Sequence, residues 1–517
     1  MSETSANNRR IAKNTLFLYI RMGVLMIVGL YTSRIVLKAL GVDDFGIYNV
    51  VAGVVSAMTV LQGAMSVSVI RYLTFELGKG KENFEKLHHT FCIIINIYFI
   101  VAVIFLVLAE TVGLWFTNTQ LSIPPDKITA VNCIYQFSIL SSLLRLFVAP
   151  YNAVVVAHEK MAFFTKISIL EGVLNLVIAF AIMAISSHKL ETYGFLMMTA
   201  SILITLCYII FCNKNFAESR YELRHDKALF KELASYTGWN LFGSLSGVAK
   251  GQGLNILLNI FFTPAVNAAR AIAYQVNTAV SAFFHNFYLA VRPQITKYYA
   301  QNNLDEMFKL VFRSSKFSYY LILIVSLPIV VEAPYIISLW LGQLPDYVVP
   351  FVRLIIMITI VDAMATPLMT TIHATGKIAL YQSVVGTLNI LNLPVSYCLL
   401  KFCDGSPIVV FYVSFILAVI SLFTRLLMAK KAVGFPVASF ILKVVAVTVA
   451  VTVVAGIPSI LAYGYFSEQT FINLLIVCVI CLTSCALSVY FIGLSKTEKT
   501  FLTGKIKNVI NDKFSRA

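Results

Sequence analysis

Six basic side chains stand inside or at the rims of long apolar runs: Arg21, Arg34, Arg145, Lys250, Arg270 and Arg353. A charge at a bilayer centre costs at least ~2.5–3.5 kcal/mol, so such a group usually faces a wet cavity or a partner. Depth separates the six. Arg34, Arg270 and Arg353 stand near run ends, where a long side chain can snorkel to the interface, and anchoring suits Arg353 best. Arg21 and Arg145 lie deeper, roughly 10 Å in at 1.5 Å per residue. Lys250 is near the midpoint of its run, in Gly243-Ser244-Leu245-Ser246-Gly247-Val248-Ala249-Lys250-Gly251-Gln252-Gly253. The glycines at 243, 247 and 251 make a small-residue stripe for close packing, and Gly251 with Gly253 suits a bend. Packing does not explain the lysine, which is expected to face a cavity.

Acids in the apolar runs are fewer. Glu171 and Asp362 are mid-run, whereas Glu110 and Glu332 lie nearer the ends. Arg145 can pair with Asp362 across a cavity or bridge within its own half. Either Asp362 or Glu171 can instead take a coupling proton, because burial raises a carboxylate pKa. The balance is cationic and suits an anionic cargo such as a phosphate or an acidic sugar. Arginine clamps phosphate with two parallel hydrogen bonds, while lysine acts as a point charge. No cofactor is expected beyond a coupling ion, H+ or Na+.

These side chains are carried by fourteen apolar runs, each long enough to cross a ~30 Å hydrocarbon core as a helix of ~20 residues. They fall near 14–36, 44–70, 88–110, 128–150, 161–184, 193–212, 233–260, 265–291, 317–337, 347–371, 378–400, 407–428, 438–462 and 470–492. With the N-terminus inside, thirty Lys and Arg fall on its side, in the tails and gaps or, like Lys166, Arg425 and Lys443, near the run ends that border them and counted with those gaps. Only Lys38, Lys127, Lys189 and Lys401 fall on the other. The positive-inside rule then places both termini in the cytoplasm and makes the chain a multi-pass membrane protein.

Composition narrows the class further. A chain 59% apolar and 12% charged is outside the range of a soluble globule. The formal charge of +16 is scattered through short loops, as topology and an anionic inner leaflet require, so nucleic acid is not an expected partner. The first run follows Asn8-Arg9-Arg10 like a signal peptide but is too long and lacks a cleavage site, so it is expected to stay. Cys478, Cys481 and Cys485 line one helix face without a His or carboxylate nearby. They read as packing residues rather than a metal site. The longest gaps, 213–232 and 293–316, hold no phosphate loop, nucleophile elbow or metal motif, so neither an enzyme nor an ATP-driven machine is expected.

The chain repeats itself. At an offset of 217, Pro150–Leu176 lies over Pro367–Leu393 without a gap. Pro150/Pro367, Ala157/Ala374, Lys160/Lys377, Ala162/Ala379, Leu174/Leu391, Asn175/Asn392 and Leu176/Leu393 are identical. A weaker echo relates Arg71 and the amphipathic stretch Tyr72–Leu87 to Arg292 and Pro293–Leu310; both stretches are expected along the inner membrane surface. An offset spanning six helices keeps the two copies parallel, a transporter architecture with the substrate site between halves. The expected fold is an all-α integral membrane protein of about 14 transmembrane helices, with two pseudo-symmetric parallel six-helix halves. The lobes are 1–225 and 226–432, with two additional helices and a basic tail at 433–517.

The run Asn267-Ala268-Ala269-Arg270-Ala271-Ile272-Ala273-Tyr274-Gln275-Val276-Asn277, then Asn286-Phe287 and Pro293-Gln294-Ile295-Thr296-Lys297, resembles the polysaccharide transporter family of Wzx-type flippases. Leu40-Gly41-Val42-Asp43-Asp44-Phe45-Gly46-Ile47-Tyr48 is similar to the segment joining the first two helices of that family. The likeness covers nearly the whole chain. It implies a V-shaped body of the multidrug/oligosaccharidyl-lipid/polysaccharide exporter superfamily. By alternating access such a body moves undecaprenyl-pyrophosphate-linked oligosaccharide repeat units between leaflets, for O-antigen, capsule or exopolysaccharide. It implies that lumenal cations meet the pyrophosphate, which fits Arg21, Lys250, Arg34, Arg145 and Arg270. Implied partners are the lipid-linked oligosaccharide, membrane lipids, and the polymerase and glycosyltransferases of the pathway. A peptidoglycan-precursor (lipid II) flippase and a cation-coupled multidrug exporter are the alternatives. A membrane glycosyltransferase or polymerase would need a large catalytic loop that is missing here.

Overall fold

A computed structural model describes residues 3–56, 58–80, 84–119, 127–185, 187–262, 264–341, 344–403, 405–466, 468–495 and 498–499. Every regular element among them is helical, as hydrocarbon demands when no water is present to satisfy backbone groups. In chain order these are α1 Glu3–Ser56, α2 Met58–Gly78, α3 Phe84–Leu108, α4 Leu114–Thr119, α5 Ile128–Ala157 and α6 Met161–Met183. Then follow α7 Lys189–Asn215, α8 Lys227–Phe261, α9 Pro264–Ala300, α10 Leu304–Val331, α11 Ala333–Leu341 and α12 Val348–Ala374. The last are α13 Ala379–Phe402, α14 Val409–Val433, α15 Val437–Phe440, α16 Ala446–Tyr465 and α17 Phe471–Ser488. A π-helical segment, Ala109–Gly113, joins α3 to α4, and another, Val489–Gly493, prolongs α17.

Eleven helices among the described residues are long and apolar enough to cross a membrane, so this is a multi-pass membrane protein. Among the described residues eleven of the fourteen expected spans meet that measure. The expected spans 233–260 and 265–291 fall on helical backbone in α8 and α9, whose polar content keeps them out of the eleven; the expected span 44–70 falls on helical backbone in α1 and α2, and most of its side chains lie outside the described residues. The expected break between 36 and 44 is replaced by continuous helix in α1. No proline precedes Pro124, and one interior glycine costs a helix only ~1 kcal/mol. A reporter fused after Lys227 or Arg313 should read as cytoplasmic and one after Lys189 or Gln343 as external. Like readings at Lys189 and Lys227 would show that α7 does not cross.

By compactness the chain forms two units, the first of residues 1–245, 289–304 and 373–383, the second of 246–288, 305–372 and 384–517. The first has a core of Phe91, Ile94, Tyr98, Val131, Ile134 and Tyr135, where α3 meets α5, with α1 against α6 and α5 against α7. The second buries Leu258 of α8, Phe351 of α12 and Phe411 of α14 beside Ala269 and Ala273 of α9. Small residues of that kind let helix backbones approach where lipid supplies no hydrophobic drive.

The sequence repeat has a geometric counterpart. α5 ends at Ala157 and α12 at Ala374, positions 217 apart, and each carries its proline, Pro150 or Pro367, inside the helix. The turn after each helix needs a left-handed residue, and the two copies place it at matching positions, Glu159 (φ 58°) and Gly376 (φ 81°). Glycine adopts that conformation without strain, whereas a side chain there costs ~1–2 kcal/mol. The glutamate has compensation. Its carboxylate is fully buried and receives Arg10 Nε at 2.8 Å and Lys297 Nζ at 2.6 Å, while Gln294 Nε2 donates to it at 2.6 Å.

The amphipathic stretches after Arg71 and Arg292 begin as continuations of α2 and α9, and their first turns are packed in protein: Tyr72, Leu73, Thr74 and Glu76 are buried, as are Gln294, Ile295 and Thr296. Polar groups there have protein partners. Tyr72 donates to Glu232 at 3.0 Å and Arg292 to the Val67 carbonyl at 2.8 Å.

Candidate functional site

The cation nearest the midpoint of its apolar run belongs to the second unit. Lys250 sits on α8, half-buried, and makes no ion pair among the described residues. The charges it feels are those of Asp362 on α12 and Arg425 on α14. Arg270 reaches across from α9 to the same turn of α8. Its Nη2 donates to the Gly251 carbonyl at 2.7 Å and its Nη1 to Asn255 Oδ1 at 3.4 Å, with the guanidinium 4.5 Å from the Tyr274 ring. The side chain expected near a rim therefore grips the backbone next to Lys250. Two cations, one carboxylate and a third cation held to backbone thus gather on four helices of one unit. That set can receive an anion by charge and retain it by hydrogen bonds.

In the first unit the deep groups are arranged differently. Arg145 Nη2 pairs with Glu171 at 2.9 Å, which realises the bridge within one half. With side chains 54% and 36% exposed, the pair is accessible rather than sealed. Arg21 is half-buried on α1 with its guanidinium 4.5 Å from the Phe164 ring of α6. Tyr208 of α7 feels the charges of both Arg21 and Glu171, so the three belong to one neighbourhood. The side chain of Arg34 lies outside the described residues, as do those of 41–47.

Arg353 is anchored by protein. Its Nε donates to the Val330 carbonyl at 2.9 Å and its Nη2 to that of Val331 at 3.5 Å, the last acceptors of α10, where a cation also meets the negative end of the helix dipole. Sequence reasoning missed Arg425. It was counted with the loop that follows, although it lies inside the apolar run 407–428; that position was the signal. Reasoning also missed the bond from Thr359 Oγ1 to Asn277 Oδ1, 2.6 Å, which ties α12 to α9. Cys478, Cys481 and Cys485 are free thiols, and among the described residues no His, Cys, Asp and Glu group is arranged to hold a metal.

No family model and no curated protein matches this chain. Solved structures do. An outward-facing multidrug resistance MATE family transporter of the MOP superfamily aligns at TM-score 0.70 and 11% identity, over 84% of this chain and 96% of its own. The bent form of the Vibrio cholerae MATE transporter VcmN aligns at 0.67 and 17%, over 86% and 99%. A MATE protein in complex with MaD3S aligns at 0.68 and 12%, over 82% and 97%. At such identities the likeness is one of fold. The chain has the fold of the MATE transporters of the MOP superfamily.

Proposed function

We propose that this chain is a flippase that moves undecaprenyl-pyrophosphate-linked oligosaccharide units from the inner to the outer leaflet of the inner membrane by alternating access. The observation that carries the reading is Lys250, a mid-helix cation without an ion pair among the described residues, with Arg270 fastened to the next residue's carbonyl. The helices that carry these two, α8 and α9, are the polar ones, too polar to join the eleven apolar spans. A migrating pyrophosphate needs such a lining. The Asn267–Asn277 run and the repeated hairpin support the same reading. The lipid-linked oligosaccharide is the cargo, and both termini face the cytoplasm. Polymerase and glycosyltransferases of the pathway are the expected partners.

The likeness to MATE transporters favours a second reading, a cation-coupled multidrug exporter. Against it, α1 offers Arg21 and no carboxylate within 14–36, an unfavourable lining for organic cations. A lipid II flippase shares the anionic cargo chemistry. Deleting the gene separates the readings. Lipid-linked repeat units should accumulate on the inner leaflet while surface polysaccharide is lost. Normal surface polysaccharide with new sensitivity to cationic dyes would establish the drug exporter instead, and arrest of wall synthesis would point to lipid II.

A further inference from the structure

The two repeat-related turns each meet polar partners from the other copy of the repeat, with Arg10 of the first copy added at Glu159, and all of the residues concerned belong to the first unit. Glu159, on the turn between α5 and α6, is held by Gln294 and Lys297 at the end of α9, and by Arg10 of α1. Arg71, at the end of α2, holds the turn between α12 and α13: its Nε donates to the His373 carbonyl at 3.2 Å and its Nη2 to that of Ala374 at 2.8 Å. Arg71 is buried, with Tyr72, Phe75 and Tyr236 rings 4.4, 4.8 and 5.6 Å from its Cζ. Gly376 is part of the fit, since a Cβ there would fall 2.7 Å from Nη2. In each copy the turn presents acceptors and the far helix end supplies donors.

We propose that these two grips form a latch that opens and closes in each transport cycle, with Glu159–Lys297 and Arg71–Ala374 as its paired contacts. Several features suit a joint that must part. The attraction within a buried charge pair is largely offset by the desolvation of its members, so water entering that side can replace it. A joint meant to stay shut is as well served by apolar packing. Glu159 keeps a left-handed backbone that glycine fills at the matching turn; that position retains a carboxylate for its grip rather than for the fold of the turn. The donors lie on α9, which belongs to the first unit only from Leu289 onward, and the second grip on α12, which does so only from His373. The latch therefore acts on the ends of helices whose other portions carry Arg270 and Asp362.

The inference rests on the alternating-access reading and not on the identity of the cargo. Its test uses the full chain with Glu159→Cys and Lys297→Cys in inverted membrane vesicles, bridged by a short bis-methanethiosulfonate. Movement of a radiolabelled undecaprenyl-pyrophosphate oligosaccharide is followed. The unbridged variant should transport, bridging should reduce transport at least about tenfold, since conformational steps gate turnover, and dithiothreitol should restore it. The unaltered chain, with its nine native cysteines, is treated alongside. Glu159→Cys with Gln294→Cys supplies a second pair, because Gln294 Nε2 donates to the same carboxylate at 2.6 Å. If neither unbridged variant nor the unaltered chain moves the oligosaccharide, the cargo reading fails and the same bridging is read by efflux of a cationic dye. Bridged protein that transports at the unbridged rate, in either pair, overturns the latch.

Discussion

Lys250→Ala should leave the amount of folded protein in the membrane nearly unchanged and cut transport sharply. Lys250 lies on α8 without an ion pair among the described residues, while Asp362 and Arg425 act on it only through their charges. Its removal therefore strips no tight partner from the fold. A hydrogen bond to a charged group contributes about 1.5–3 kcal/mol, so losing the contact to a migrating pyrophosphate should slow transport by roughly tenfold to a hundredfold. Lys250→Arg should keep part of the activity, because the charge survives and the donor geometry changes. Arg21→Ala should be damaging as well. Arg353→Ala should cost stability before transport, since that side chain serves the carbonyls of Val330 and Val331. The competing account is that Lys250 neutralises Asp362 for folding. Lys250→Ala would then lower abundance, and adding Asp362→Asn would restore it. Measuring abundance and surface polysaccharide in the same strains distinguishes the two, and full activity at normal abundance in Lys250→Ala would refute both.

The architecture was legible where residue types are rare enough to carry register. A proline, a lysine and an asparagine recurring at one offset marked the α5–α6 and α12–α13 hairpins, and the helices end at matching positions. The shared left-handed turn was not legible, because Glu159 opposite Gly376 reads as a mismatch. Only the backbone shows that both satisfy one requirement, and the glutamate is retained by the Gln294 and Lys297 donors and the Arg10 ion pair. Charge counting also misled in detail. Arg71, Arg292 and Lys297 look like loop cations beside a membrane surface, yet each bonds to protein. Arg425 was placed outside the membrane by the same habit. Arg270 shows the opposite limit. Its position near a run end suggested snorkelling, whereas its length brings the guanidinium to the Gly251 carbonyl. Spacing along one helix cannot reveal which neighbouring backbone a long side chain reaches.

Lys316→Ala should be among the most destabilising single changes in the second unit. Lys316, on α10, is buried and donates to Glu498 Oε2 at 2.9 Å and to the Gly493 carbonyl at 3.4 Å. Tyr320 donates to the same carbonyl at 3.3 Å. Together they fasten the end of the π-helical segment that prolongs α17 onto α10. Glu498 also accepts from the Ser495 N–H and hydroxyl, each at 2.8 Å. Burial pushes its carboxyl up, but these donors and the Lys316 charge outweigh that and hold it below the usual carboxylate range. Removing Lys316 leaves the buried carboxylate only the more distant Arg313, whose Nε stands 4.0 Å from Oε1, a loss of about 3 kcal/mol, read as a lower thermal unfolding midpoint in detergent. Lys316→Met with Glu498→Met should recover much of it, because the desolvation of both charges disappears together. The pH dependence follows from the direction of the shift. A carboxyl depressed in the folded state contributes stability above its unfolded value and loses that contribution as pH falls through its folded value. The midpoint of the unaltered protein should therefore drop on acidification below the ordinary carboxylate range, and the double variant should drop less. Equal slopes would mean that Glu498 is not held by these donors in the membrane protein, and the clamp on α17 would have to be sought elsewhere.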